Sequence, residues 1–437
     1  MPKIKLYSFS KRQILLIAVF IFFLFNTIKE IPSISFEYDE SQWIHTSTYY
    51  EVLLTQPAQS HYWQENYWTI TQPPMARYII GFSRSLFGFE SAELNTPWDF
   101  DASYEENEAK SRVPSDRLLY ASRFPMAILM SLTATILFAL FLESTGLPGA
   151  GIFLWFFVSS DFLKSNFVRA MGEAPFFFFI TLAAFFTLLA VKVLKKMEPA
   201  EDQKHLYKYY LLLFAAGASC GLAGASKING LISCAAIGFL ILLQGLFFSK
   251  GMTRDQKMKL VIHSSFIILF STLFAFVMVN PYLYASPLVR LARMYKYRLE
   301  VMELQIVSYP QYHISSIGQR IPLLFKKVFA DAMPLRFFAS AWVYLLLGIS
   351  GGIAIIKGYW KWLKNGSGSP DLMVIAALVL PLALAGYMTP LSWGRYLVPC
   401  VFLNDICVPV GIYAGILALS RALMTVFPMR PKEVPSV

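Results

Sequence analysis

Three carboxylates fall within four residues of the stretch SFEYDESQWIH: Glu37, Asp39 and Glu40. Acidic side chains this close can serve proton transfer, one acting as general base while its neighbour shapes the surroundings. They follow directly on the apolar run Ile14 to Ile28. Charge in hydrocarbon is costly, so a compact acidic group at the end of a membrane helix reads as facing a water-filled cavity. Helix capping accounts for the same residues: Asp39 would be the N-cap, and acidic side chains are favoured in a first turn. The two roles are compatible, and spacing alone does not separate them.

Further candidates lie downstream. In TITQPPMARYIIG the paired prolines fix an extended entry to a helix beginning at Pro74. Arg77 then sits one turn in, placed to meet a phosphate or to extend its charged end to lipid headgroups. In NFVRAMGEAPFFFF, Arg169 and Glu173 are four residues apart and so share a helical face, as an ion pair or as part of a site. The segment 285–336 gathers Arg290, Arg293, Lys296, Arg298, Arg320, Lys326, Lys327 and Arg336. SWGRYLVPC sets Arg395 beside Tyr396, a pair that would also serve as an interface anchor. The four cysteines, Cys220, Cys234, Cys400 and Cys407, lie in or beside apolar runs without metal-site or disulfide spacing, so no metal site is expected.

The elements that must position these residues are membrane helices. Of 437 residues, 56% are hydrophobic and 15% charged, against roughly a quarter charged in soluble domains. Runs of spanning length cover 14–31, 118–142, 147–163, 174–194, 209–225, 227–248, 261–284, 337–357, 371–388 and 397–420. The first is a retained helix, since no small-residue cleavage site follows it. Ten crossings place the basic amino-terminal tail, Lys192–Lys208, Lys250–Lys259, Lys357–Lys364 and Arg421–Lys432 on one side, read as cytoplasmic, with both termini there. This bias and anionic membrane lipid account for the net charge of +11, and nucleic acid is not an expected partner.

Residues 1–437 read as one membrane domain, with 33–117 as the first external loop and 285–336 as a second, substrate-side loop. SQWIHTSTYYEVLL and MARYIIGFSRSLFG show helical spacing of apolar residues suited to the membrane interface. The acidic run between Phe89 and Asp116 reads as a solvated loop. The arginines of 285–336 breach the positive-inside tendency, which suggests an anionic ligand such as a lipid phosphate, although headgroups alone would also suffice.

Taken in order, YDE at 38–40, QPPMARYIIG at 72–81, RAMGEAPFFFF at 169–179, ASKINGL at 225–231 and GRYLVP at 394–399 resemble a known family. It is the polyprenyl-phosphate-sugar-dependent glycosyltransferases of the GT-C class, which includes protein O-mannosyltransferases and lipid A aminoarabinose transferases. The resemblance implies an all-α polytopic bundle of about ten transmembrane helices, with interfacial helices in the first external loop. It implies inverting transfer of a sugar from a dolichyl or undecaprenyl monophosphate to a hydroxyl of a protein, lipid or glycan acceptor on the external face.

By position, the resemblance makes Asp39 the base with Glu40 as its motif partner, and has Glu173 shape the site. Tyr396 inherits contact with the carrier phosphate, supported by Arg395. Some of Arg290, Arg293 and Arg298 would stabilise the departing phosphate, with Gln72 and Arg77 also on the substrate side. Gln72 stands where relatives often carry a cationic or imidazole group, so phosphate binding leans on arginines elsewhere. The His-rich motif of the mannosyltransferases is matched only loosely by YHISSIGQR at 312–320, and their large lumenal domain has no counterpart, so protein-acceptor specificity does not carry over. No cofactor is required; the chemistry leaves room for a divalent cation without calling for one. A polytopic transporter or lipid-linked sugar flippase is the competing reading, but such proteins usually hold ionisable residues near the bilayer midplane within broken helices.

Overall fold

The computed structural model describes residues 10–196, 203–248, 253–334 and 340–426. Lipid offers the backbone no hydrogen-bond partner, so each apolar run closes its own N–H and C=O pairs as a helix. Helix α1 (Lys11–Glu30) opens on a reciprocal cap, in which the Ser10 hydroxyl accepts from the Gln13 N–H and the Gln13 side chain accepts from the Ser10 N–H. A small layer follows: α2 (Tyr38–His45), α3 (Tyr49–Thr55), α4 (Tyr67–Thr71), α5 (Met75–Leu86) and α6 (Tyr104–Ala109). Next come α7 (Asp116–Ser159), α8 (Asp161–Val168), α9 (Glu173–Lys196), α10 (Gln203–Ser226), α11 (Ser233–Phe248) and α12 (Arg254–Met278). Last are α13 (Pro287–Ser308), α14 (Ile317–Leu324), α15 (Ala341–Asn365), α16 (Asp371–Met388) and α17 (Val398–Val426), the last entered through a 3-10 turn at Gly394–Leu397.

Among the described residues, nine helices are long and apolar enough to cross a membrane. One of them, α7, counts twice. Its 44 residues would extend about 66 Å if straight, twice the ~30 Å of hydrocarbon. Instead the chain folds back at Gly146, whose φ of 70° lies in the left-handed region that favours glycine. Phe141 and Phe153 consequently stack with centroids 4.4 Å apart, where a straight helix would hold them about 18 Å apart. The expected spans 118–142 and 147–163 correspond to the two limbs of this element, the second reaching into α8. The second limb continues into α8, so the turn expected at 161–173 is helical as far as Val168, with Leu163, Phe167 and Val168 buried.

The chain is therefore an all-α, multi-pass integral membrane protein. Basic residues collect at the bundle end away from α2: Lys192 pairs with Asp371 at 2.7 Å, Arg12 with Glu143, and Lys195 lies over the Trp362 ring. Parts of the expected basic clusters, at 1–9, 197–202, 249–252 and 427–437, and Arg336 lie outside the described residues.

The residues between α1 and α7 are folded against the bundle. The Ser83 hydroxyl on α5 donates to the Ala121 carbonyl on α7 at 2.7 Å, and α5 buries both Arg77 and Arg84. The acidic run expected as a solvated loop is also structured. Asn107 is buried and its amide donates to the carbonyls of Asp99 and Ser103, while Arg112 pairs with Asp99 at 3.0 Å.

His45 ties α2 to this run, its Nδ1 lying 3.0 Å from the Asn95 carbonyl. Burial lowers its pKa from the ordinary 6.5, with the Asn95 hydrogen bond opposing. The unfolded chain thus binds this proton more readily, so stability is present above the ordinary value and lost as pH falls through it. Thermal stability should fall on acidification from about pH 7.5 to about 5.5, with lower protection factors over residues 41–112 once the pH dependence of intrinsic exchange is removed, and His45→Gln should flatten that response.

Candidate active site

Asp39 and Glu40 both lie in the first turn of α2, whose N-cap is Glu37 rather than Asp39. The dipole favours both there, yet the two carboxylates have different surroundings. Glu40 is fully buried. Its Oε1 accepts from Arg123 Nε at 2.8 Å and from the Ala170 N–H at 2.8 Å. Its Oε2 accepts from Arg123 Nη2 at 2.6 Å and from the Glu37 N–H at 3.0 Å. Arg123 is equally enclosed and donates to the carbonyls of Ile31, Ile34 and Ser35. With both oxygens occupied and no exposed surface, Glu40 has no access to an acceptor proton. The expected catalytic role for Glu40 is corrected: it holds the first turn of α2 against α7 and the α8–α9 link.

Asp39 keeps 22% of its side chain exposed and forms an ion pair with Arg395. The Arg395 guanidinium lies over the Trp393 ring at 4.9 Å and the Tyr396 ring at 5.6 Å. These two rings stack with centroids 5.8 Å apart. Tyr396 in turn accepts at its hydroxyl from Arg298 Nη2 at 2.8 Å. An accessible carboxylate, two guanidiniums and a phenol thus converge from α2, α13 and the 3-10 turn before α17. Tyr67, at the start of α4, is 49% exposed and within electrostatic reach of Arg298. Burial raises its phenol pKa and Tyr297 adds to this, while Arg298 and Arg77 oppose.

Other expected site residues are held elsewhere. Arg77 is 1% exposed and ringed by Trp43, Tyr49 and Trp68, with ring centroids 5.2 to 5.9 Å from its guanidinium carbon. It donates to the Trp68 carbonyl and to Gln72 Oε1, each at 3.1 Å. Burial brings its pKa down to about 10, with Tyr49 and neighbouring tyrosines opposing. Arg77 is therefore enclosed and reaches neither lipid headgroups nor a phosphate, which corrects the expectation for it, and partly exposed Gln72 accepts from it. Arg290 donates to the Tyr282 carbonyl and lies over that residue's ring, and Arg293 pairs with Glu65 at 3.1 Å. Of the three arginines expected from α13, only Arg298 joins the group around Tyr396.

The expected Arg169–Glu173 pair is also absent, because the helix breaks between them: Arg169 has an extended ψ of 142°. Arg169 pairs instead with Glu37 at 3.3 Å, and buried Glu173 pairs with Lys227. The 169–172 link lies between α2 and Lys227, since Ala170 donates to Glu40 and Gly172 abuts the Lys227 side chain. Lys227 and Arg123 carried no assigned role in the sequence reading. Arg123 had a visible signal, a cation inside an apolar run; Lys227 had only its place in ASKINGL. Among the described residues, no three His, Cys, Asp or Glu side chains gather in a metal-binding group.

The multi-pass helical bundle is of the GT-C class. The family model described as dolichyl-phosphate-mannose-protein mannosyltransferase matches residues 43–290, more than half of the chain. The chain belongs to this family. Asp39, Arg298, Arg395 and Tyr396 lie outside the matched segment.

The fold is similar to that of the archaeal oligosaccharyltransferase AglB from Archaeoglobus fulgidus, solved with an inhibitory peptide and a dolichol-phosphate. The TM-score is 0.51 at 15% identity, over 97% of this chain and 53% of that one. The apo form of that enzyme gives a TM-score of 0.51 at 14% identity, over 95% and 52%. ArnT from Cupriavidus metallidurans, bound to undecaprenyl phosphate, gives 0.49 at 12% identity, over 98% and 67%. This chain thus spans about half the length of the oligosaccharyltransferase. No curated protein matches it.

Proposed function

We propose that this protein transfers a sugar from a dolichyl or undecaprenyl monophosphate to the hydroxyl of a protein, lipid or glycan acceptor, with inversion at the anomeric carbon. Asp39 takes the acceptor proton as the acceptor oxygen bonds to the anomeric carbon and the bond from that carbon to the phosphate oxygen breaks. The electron pair leaves with the polyprenyl phosphate, whose growing negative charge meets Arg395, Arg298 and the Tyr396 hydroxyl. These groups supply the positive charge, so the mechanism requires no cofactor. The reading rests on one observation: the accessible carboxylate of α2 meets the Arg395–Tyr396–Arg298 cluster at a single mouth. The basic flanks at the opposite end support an external face for that mouth.

The test is direct. Purified protein given labelled polyprenyl-phosphate sugars, with water or an extract as acceptor, should release the sugar, and the anomer formed reports inversion. A folded protein that never releases sugar would sink the proposal. Tyr396→Phe removes the hydroxyl that receives Arg298. Loss of a hydrogen bond to a charged group should raise the donor KM about tenfold, with thermal stability little changed.

A further inference from the structure

Arg395 stands between two anions that need it at different moments. Without substrate its guanidinium pairs with Asp39, the carboxylate that the proposed reaction uses as base. Both side chains are partly open, at 30% and 22% exposure, so an incoming ligand reaches the pair without unfolding anything. The guanidinium is otherwise held by ring faces, over Trp393 at 4.9 Å and Tyr396 at 5.6 Å. Ring faces allow a flat cation to slide and turn while staying in contact, unlike a fixed fork of hydrogen bonds. Buried Arg123 makes the contrast, since two oxygens of Glu40 and three carbonyls fix it in one place. Arg298, bonded to the Tyr396 hydroxyl at 2.8 Å, brings a second cation to the far edge of the same ring.

We propose that Arg395 is a shared cation that leaves Asp39 for the phosphate of the arriving carrier lipid, so that donor binding uncovers the base. The inference rests on the functional reading above and adds regulation to it. In the free protein the base is masked by its ion pair. A donor phosphate, a singly charged diester able to accept a bidentate guanidinium, competes for Arg395. Once Asp39 has taken the acceptor proton it is neutral and no longer attracts Arg395, at the moment when the leaving phosphate gains charge. When Asp39 returns its proton to water, it draws Arg395 back and loosens the spent lipid phosphate. The ion pair thus lowers apparent phosphate affinity in the resting protein, because only the fraction with Arg395 free is competent to bind.

This makes an unusual demand of the variant that should be catalytically dead. With undecaprenyl phosphate in detergent micelles as probe, Asp39→Asn should bind about three- to tenfold more tightly than the unmodified protein, because Arg395 has lost its competing partner. Arg395→Gln should bind more weakly, and in that background Asp39→Asn should give no further tightening. Unchanged affinity in Asp39→Asn overturns the proposal. So does tightening that persists without Arg395, which would be plain repulsion between carboxylate and phosphate. Asp39→Ala should reproduce the result and covers a failure of the asparagine variant to fold. Sugar transfer measured on the same Asp39→Asn sample separates the two ideas: activity there removes Asp39 as base, whatever the binding constant.

Discussion

Asp39→Asn should lower sugar transfer by a factor on the order of 10² to 10⁴, the range of a lost general base, while leaving the protein folded. Asparagine has almost the same shape, and both members of the Asp39–Arg395 pair are partly exposed. What disappears is the carboxylate of α2 that pairs with Arg395. The check is a rate measured with labelled donor alongside a thermal unfolding curve. Normal turnover in the variant would remove Asp39 from the mechanism. Loss of rate together with loss of folding would instead assign it a structural role.

The opposite pattern is expected one residue further on. Removing one partner of a buried ion pair leaves an uncompensated charge and costs about 3–5 kcal/mol. Arg123→Met should therefore destabilise strongly, since Glu40 is fully buried and Arg123 is 1% exposed. Glu40→Leu should do the same. The double substitution should recover much of the loss, because no lone charge remains, although the freed carbonyls of Ile31, Ile34 and Ser35 keep part of it. Detergent-resistant folding of the three variants, followed by thermal unfolding, gives the comparison. Stability unchanged in Arg123→Met would show that the pair is not a structural anchor.

These neighbouring acids mark the limit of what the sequence displays. Asp39 and Glu40 are chemically alike and adjacent, and a helix start suits both. Only the partner, 83 residues later at Arg123, decides which one is enclosed. The spanning helices were legible because hydrocarbon imposes length and apolarity on every crossing. Even the reversal inside α7 could be read, since its two apolar limbs flank Gly146 and Pro148. The arginines were harder. Arg77, Arg290, Arg293 and Arg298 look interchangeable in one dimension, yet an aromatic ring, a carbonyl, a glutamate and a tyrosine claim them in turn. The helical spacing of Arg169 and Glu173 suggested a pair, but that inference requires an unbroken helix, and the backbone turns extended at Arg169.

The Arg123–Glu40 contact also bears on how the chain is assembled as it leaves the ribosome. An arginine inside a spanning helix resists insertion, by about 2.5–3.5 kcal/mol at the helix centre and less toward an end. Arg123 is near the start of α7, and its anion has already been synthesised when α7 emerges. The acid can therefore be waiting at the membrane face when the helix arrives, and the carbonyls that follow α1 wait beside it. Biogenesis would then run in chain order: α1 first, the small layer behind it, and α7 accepted by the translocon with its charge already matched. Moving Glu40 to a later part of the chain, as in a circular permutant opened before α7, would leave the same final contacts but deprive the nascent helix of its counter-ion.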